Sequence, residues 1–126
     1  MEMMSGFKEI FEAYGGDYGI TMARFINNEE MYMKFLDKFF EDDSISRLHT
    51  ALEGNDLKGA FEAAHTLKGV AGNMGLTPLF DKVCAIVEPL RVCKEEAAYA
   101  ELYQEIKGEF ERADELRGAL KRAVQP

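Results

Sequence analysis

The sequence holds little that would let it enter a membrane, bind nucleic acid or cross-link itself. Its longest uninterrupted apolar run is the five residues from Val83 to Val87, against the roughly 20 that span a bilayer as a helix. The opening Met-Glu-Met-Met-Ser-Gly has neither a basic start nor an apolar stretch behind it, so no export segment is expected and a cytoplasmic location is. Basic residues are in deficit: 15 Lys and Arg stand against 23 Asp and Glu, for a net charge of −8. That balance repels phosphate backbones and anionic lipid, and no segment supplies a basic patch, which points away from nucleic acid and membrane and towards protein partners. Cysteine is scarce as well. Cys84 and Cys93 lie nine residues apart on what reads as one helical stretch, about half a turn out of phase at about 100° per residue, which excludes an intrahelical disulfide and leaves two reduced thiols. Repeats, low-complexity tracts and sustained strand-like alternation are also missing.

Helical periodicity is what remains, and it runs almost throughout. A length of 126 residues with 47% hydrophobic content suits one domain with one core. The expected fold is all-α: an antiparallel four-helix bundle over residues 17–122, with a helical extension over residues 1–16 and one or two short N-terminal helices packed across it. Gly6 to Tyr14 forms a short amphipathic piece stopped by Gly15-Gly16, and Asp17 to Phe25 a second, with Ile20, Phe25 and Ile26 as its apolar side. Asn27, with Glu30 three residues on, opens a strong helix carrying Met31, Phe35, Leu36, Phe39 and Phe40. Ser44 to Glu53 follows, closed by Gly54-Asn55.

Asp56 caps the next helix, and Thr77-Pro78 restarts the chain with a capping hydroxyl before a proline at the first helical position. Leu79, Val83, Ile86, Val87 and Leu90 line that helix until Pro89 kinks it or ends it near Glu88. From Glu95 to about Arg122, Tyr99, Leu102, Ile106, Phe110, Ala113, Leu116 and Leu120 recur every three or four residues along one long helix. Its acidic positions, Glu101, Glu105, Glu109 and Glu111, read as a solvated face.

The stretch "AAHTLKGVAGNMGL", Ala63 to Leu76, sets three glycines beside one of the chain's two histidines. On a helical wheel Leu57, Ala60, Ala64, Leu67, Ala71 and Met74 form the core stripe, and His65 falls outside it in one strip with Lys68, Gly69 and Gly72. A mid-helix glycine costs about 0.8–1 kcal/mol relative to alanine, so two of them there imply a need for bare backbone. With no side chain one turn above the imidazole, a tetrahedral group or another protein's active site reaches it unobstructed. Histidine ionises near neutrality and offers a ring nitrogen as nucleophile without a separate base, and a lysine ammonium alongside suits negative charge on phosphoryl oxygens. The constellation fits phosphoryl acceptance.

At these residues the chain resembles the histidine phosphotransfer (HPt) family of two-component phosphorelays. The family's Ala-His-x-Leu-Lys-Gly-x-Ala/Ser, followed by three residues and a Gly, stands here as "AHTLKGVAGNMG" from Ala64 to Gly75, and the resemblance extends over roughly Gly19 to Leu90. It implies that His65 is the phosphoacceptor, that Lys68 stabilises charge, and that Gly69 gives clearance; a partner is expected to dock over Gly69 and Gly72. The partners implied are receiver domains of response regulators or a hybrid sensor kinase. No glycine-rich ATP lid, kinase domain or receiver-type acidic cluster is present, so the chain is expected to be a carrier and not a kinase; a monomer is expected as well. It needs no cofactor and no metal of its own, ATP and magnesium belonging to its partners. Pro89 departs from the family, whose helix usually continues there.

Other readings carry less. His49, in "SRLHTAL", has neither glycine clearance nor a matching lysine and reads as an edge residue of its helix. "EAAH", Glu62 to His65, has the Glu-x-x-His spacing of di-iron bundle sites, but such sites need the motif twice, and serine stands three residues before His49. A different class, a helical adaptor that docks a receiver or kinase without being phosphorylated, stays open.

Overall fold

The computed structural model describes residues 6–95 and 97–124, and among them are seven α-helices and no strand. They are α1 (Phe7–Tyr14), α2 (Tyr18–Ala23), α3 (Glu29–Glu41), α4 (Ser44–Glu53), α5 (Leu57–Asn73), α6 (Thr77–Arg91) and α7 (Tyr99–Val124). Helix α4 packs on α5, α5 on α6, α6 on α7, and α7 returns to touch α4, while α1 and α3 also lie against α7. The all-α class expected from periodicity is therefore observed. Residues 1–5 of the expected N-terminal extension lie outside the described residues.

The apolar stripes read from the sequence form one core. Phe7 and Phe11 of α1 are buried, and both set their rings edge-on to the fully buried Tyr32 of α3, at 6.0 and 5.8 Å. Helix α1 is thus seated in the core itself. It stops at Gly15, whose φ of 121° is open to glycine and to few other residues. Asp17 then caps α2, its carboxylate accepting from the Ile20 amide at 3.0 Å.

Several expectations need correction. In α2 the apolar side is not Ile20 and Ile26, which are 59% and 78% exposed; Thr21 and Met22 are buried instead. Six residues are too few to fix a stripe, and the chain then turns through left-handed Ile26 and Asn27, at φ 57° and 55°, which sends Phe25 inward and Ile26 out. The cap of α3 sits one residue later than expected: Asn28, not Asn27, accepts from the Met31 amide at 3.0 Å. Phe35, placed with the core stripe, is 49% exposed and touches only Phe25 among the rings, at 5.6 Å.

Helix α6 also starts and ends differently from expectation. Thr77 is the first helical residue and not the cap; the fully buried Leu76 precedes it, and no side chain caps that end. Pro89 does not end the helix, which continues to Arg91. Proline costs one intrahelical bond this close to the end, whereas Ile86, Val87 and Leu90 are all fully buried and hold the last turn to the core. Cys93 lies beyond that end in a left-handed conformation, φ 52°, so the two cysteines do not share a helix; both are free thiols. Helix α7 begins at Tyr99, four residues later than expected. Its acidic face is partly paired, Glu105 with Lys82 at 3.0 Å and Glu109 with Arg112 at 2.7 Å.

Candidate functional site

Helix α5 carries the motif. Its first turn is held by Asp56, whose carboxylate accepts from the Gly59 amide at 2.9 Å, one of the amides a helix start leaves without a partner. The inward residues are mostly small, Ala60, Ala63, Ala64 and Ala71 with Leu67, which lets α4 and α6 approach the helix closely. The opposite face is left to His65, which is exposed, and to Lys68, half-buried, with Gly69 exposed between them and the C-terminal end.

The two glycines of that face have different surroundings. A methyl group placed on Gly69 would meet nothing within 4 Å, so its bareness answers no need inside the molecule. At Gly72 the same methyl would come within 3.1 Å of two ring carbons of Phe80, so this glycine gives Phe80 of α6 its seat. Gly75 ends the segment in the left-handed region, at φ 72°.

The C-terminal end of α5 is tied to distant parts of the chain. Arg24, just past α2, donates from Nη1 to the carbonyls of Gly72 and Asn73 at 3.1 and 3.0 Å. The buried Tyr32 hydroxyl donates to the Met74 carbonyl at 2.7 Å. A guanidinium suits the negative end of a helix, where carbonyls lack intrahelical partners.

These ties shape an open cleft of about 630 Å³. One side is His65, Lys68, Gly69, Gly72 and Asn73 of α5, another is Arg24, and Thr77, Phe80 and Asp81 of α6 complete it. All four residues singled out from the sequence line it together. Sequence reasoning missed Arg24, Phe80 and Asp81. Phe80 left a trace, an aromatic residue off the stripe of its helix; Arg24 left none, since it meets α5 48 residues away. His49 does not join the cleft: it sits at the edge of α4, its ring 4.8 Å from that of Tyr103 and its Nε2 3.4 Å from Glu53. Among the described residues no group of three or more His, Cys, Asp or Glu side chains is placed to hold a metal ion, and no helix is long and apolar enough to cross a membrane.

A family model, the Hpt domain, matches residues 30–123. The chain belongs to the Hpt domain family. Its match covers α3 to α7 almost entirely and includes the whole histidine motif. Comparison with curated proteins and with solved structures finds no match. Hpt domains are phosphocarriers of phosphorelays and interact with receiver domains. In this Hpt domain the cleft also recruits a residue from outside the matched region, Arg24.

Proposed function

We propose that the chain is a histidine-containing phosphotransfer protein in which His65 accepts a phosphoryl group from a receiver aspartate, or from a kinase, and passes it to another receiver. The observation that carries this reading is an exposed imidazole at an open cleft, with nothing within 4 Å of the place a Cβ at Gly69 would take. A receiver docks over Gly69 and Gly72 with its aspartyl phosphate facing the ring. The lone pair of one ring nitrogen forms the new N–P bond as the bond from phosphorus to the aspartyl oxygen breaks. The aspartate leaves as carboxylate, and the imidazole, positively charged, carries the phosphoryl group. Onward transfer is the same exchange in reverse at a second receiver.

Lys68 has no ion-pair partner among the described residues, and its ammonium balances charge on the phosphoryl oxygens. Most of the assistance is positional, since phosphoryl transfer asks little covalent chemistry of the protein. The short connections between the helices support an antiparallel four-helix arrangement of the bundle, and we take the protein to be a cytoplasmic monomer without kinase activity of its own.

Incubation with a sensor kinase, ATP, magnesium and candidate receivers, followed by intact mass and acid lability, tests the assignment. The expected result is an acid-labile, alkali-stable phosphoryl adduct on the wild type and none on His65→Gln, with the fold of the variant unchanged. An adduct on the variant would move the acceptor elsewhere. Receiver binding with no adduct from any donor would favour a docking adaptor instead.

A further inference from the structure

Among the described residues no hydrogen bond or ion pair reaches the His65 imidazole. One contact does constrain it: the ring of Phe61 lies one turn earlier on α5, with centroids 5.5 Å apart and planes inclined by 36°. Side chains on a helix lean towards its N-terminus and over the preceding turn, so an aromatic residue four positions before His65 is where the imidazole rests. Phe61 is half-buried and is held in turn. The Arg91 guanidinium sits over its ring, 5.3 Å from the centroid, and pairs with Glu88 at 3.5 Å. Cation–π and aromatic contacts of this kind hold both rings against free rotation. Arg91 is within reach only because α6 runs past Pro89 to its last residue.

We infer that Phe61, held by Arg91, is a positioning residue for phosphoryl transfer, fixing the imidazole of His65 in the orientation a docked receiver meets. The inference rests on the proposed role of His65 as acceptor. Phe61 acts only through His65: it does not line the cleft, and it lies on the N-terminal side of the imidazole, whereas Lys68 and Gly69 lie on the C-terminal side. On a helix, χ1 has two accessible wells and the imidazole χ2 is two-fold. Release from Phe61 therefore spreads the ring over up to about four arrangements and lowers the competent fraction, and with it the rate, by up to about fourfold.

The test compares wild type, Phe61→Leu and Phe61→Tyr in single-turnover transfer from a phosphorylated receiver, with receiver affinity measured separately. Each is also labelled directly by phosphoramidate, a small donor that needs no docking. In Phe61→Leu the first-order transfer rate should fall about two- to fourfold, with receiver Kd and phosphoramidate labelling unchanged. Phe61→Tyr, which keeps the ring, should match the wild type. In NMR spectra, the ring-current displacement of the His65 imidazole protons should vanish in Phe61→Leu and persist in Phe61→Tyr. An unchanged transfer rate in Phe61→Leu, an equal fall with phosphoramidate, or a Phe61→Tyr as slow as Phe61→Leu would overturn the inference while leaving His65 as acceptor. A wild type that takes no label from either donor would overturn both.

Discussion

Gly69 and Gly72 look alike in the sequence, three residues apart on one helical strip, and the structure separates them. Gly72 is small because Phe80 presses on it, while Gly69 is small with no neighbour to require it. A Cβ at Gly69 thus meets no obstacle inside the protein, and replacing a mid-helix glycine with a good helix former such as leucine should raise stability by about 1 kcal/mol. The same side chain would stand one turn from His65, where a receiver approaches. A displacement of about 1 Å at a reacting centre costs on the order of 100-fold in rate. Gly69→Leu is accordingly expected to unfold at higher urea than the wild type and to transfer at about a hundredth of its rate or less. Normal transfer in that variant would remove the clearance role. The wheel brought His65, Lys68, Gly69 and Gly72 to one face because all are set by a local period. No period links Arg24 to the end of α5, so its place in the cleft could not be read.

At the scale of the helix, the sequence was most legible where start and stop signals are chemical. Asp56 caps α5 and Gly15 ends α1 as their types suggest, and α4 has the limits its flanking residues imply. It was least legible where tertiary burial competes with local preference. Pro89 is the clearest case: the local rule kinks the helix or ends it near Glu88, and three fully buried residues around it carry α6 on to Arg91. A proline retained inside a helix has a cost that substitution should reveal. Alanine is better there by about 3 kcal/mol, less the 0.4–1 kcal/mol by which proline restricts the unfolded chain. Pro89→Ala should therefore stabilise the protein by about 2 kcal/mol in urea denaturation with unchanged m-value. A loss of stability would mean that the proline ring packs a contact alanine cannot replace. The misplacement of Ile20 and Ile26 has a related origin, for a helix of six residues cannot state a face of its own.

For the molecule as a whole, the core has a polar liability on its alkaline side. Burial, with the Glu109 carboxylate nearby, pushes the Tyr14 hydroxyl up to about 12. The hydrogen bond Tyr18 donates to Glu29, at 2.5 Å, together with burial, pushes its hydroxyl up to about 12 as well. Burial raises Tyr32 and, with Glu53 adding to it, Tyr103. Tyrosine in an unfolded chain ionises near 10. Below about pH 10 both states keep these protons and stability is unaffected. Between about 10 and 12 the unfolded chain loses protons that the folded one retains, so stability falls as pH rises. Urea midpoints should hold steady up to about pH 10 and drop beyond it, with tyrosinate absorbance appearing together with unfolding. Tyrosinate signal from Tyr14, Tyr18, Tyr32 and Tyr103 near pH 10 in a still-folded protein would contradict this.

The family match and the cleft do not share a boundary. The match begins at residue 30, but the guanidinium that clasps the last carbonyls of α5 belongs to residue 24, and two aromatic residues of the core, Phe7 and Phe11, come earlier still. A fragment excised at the family border would keep the histidine, the lysine and both glycines, yet lose the Arg24 guanidinium from the Gly72 and Asn73 carbonyls and strip Tyr32 of two of its ring neighbours. For anyone trimming this protein or grafting its site into another, the unit to move begins at α1.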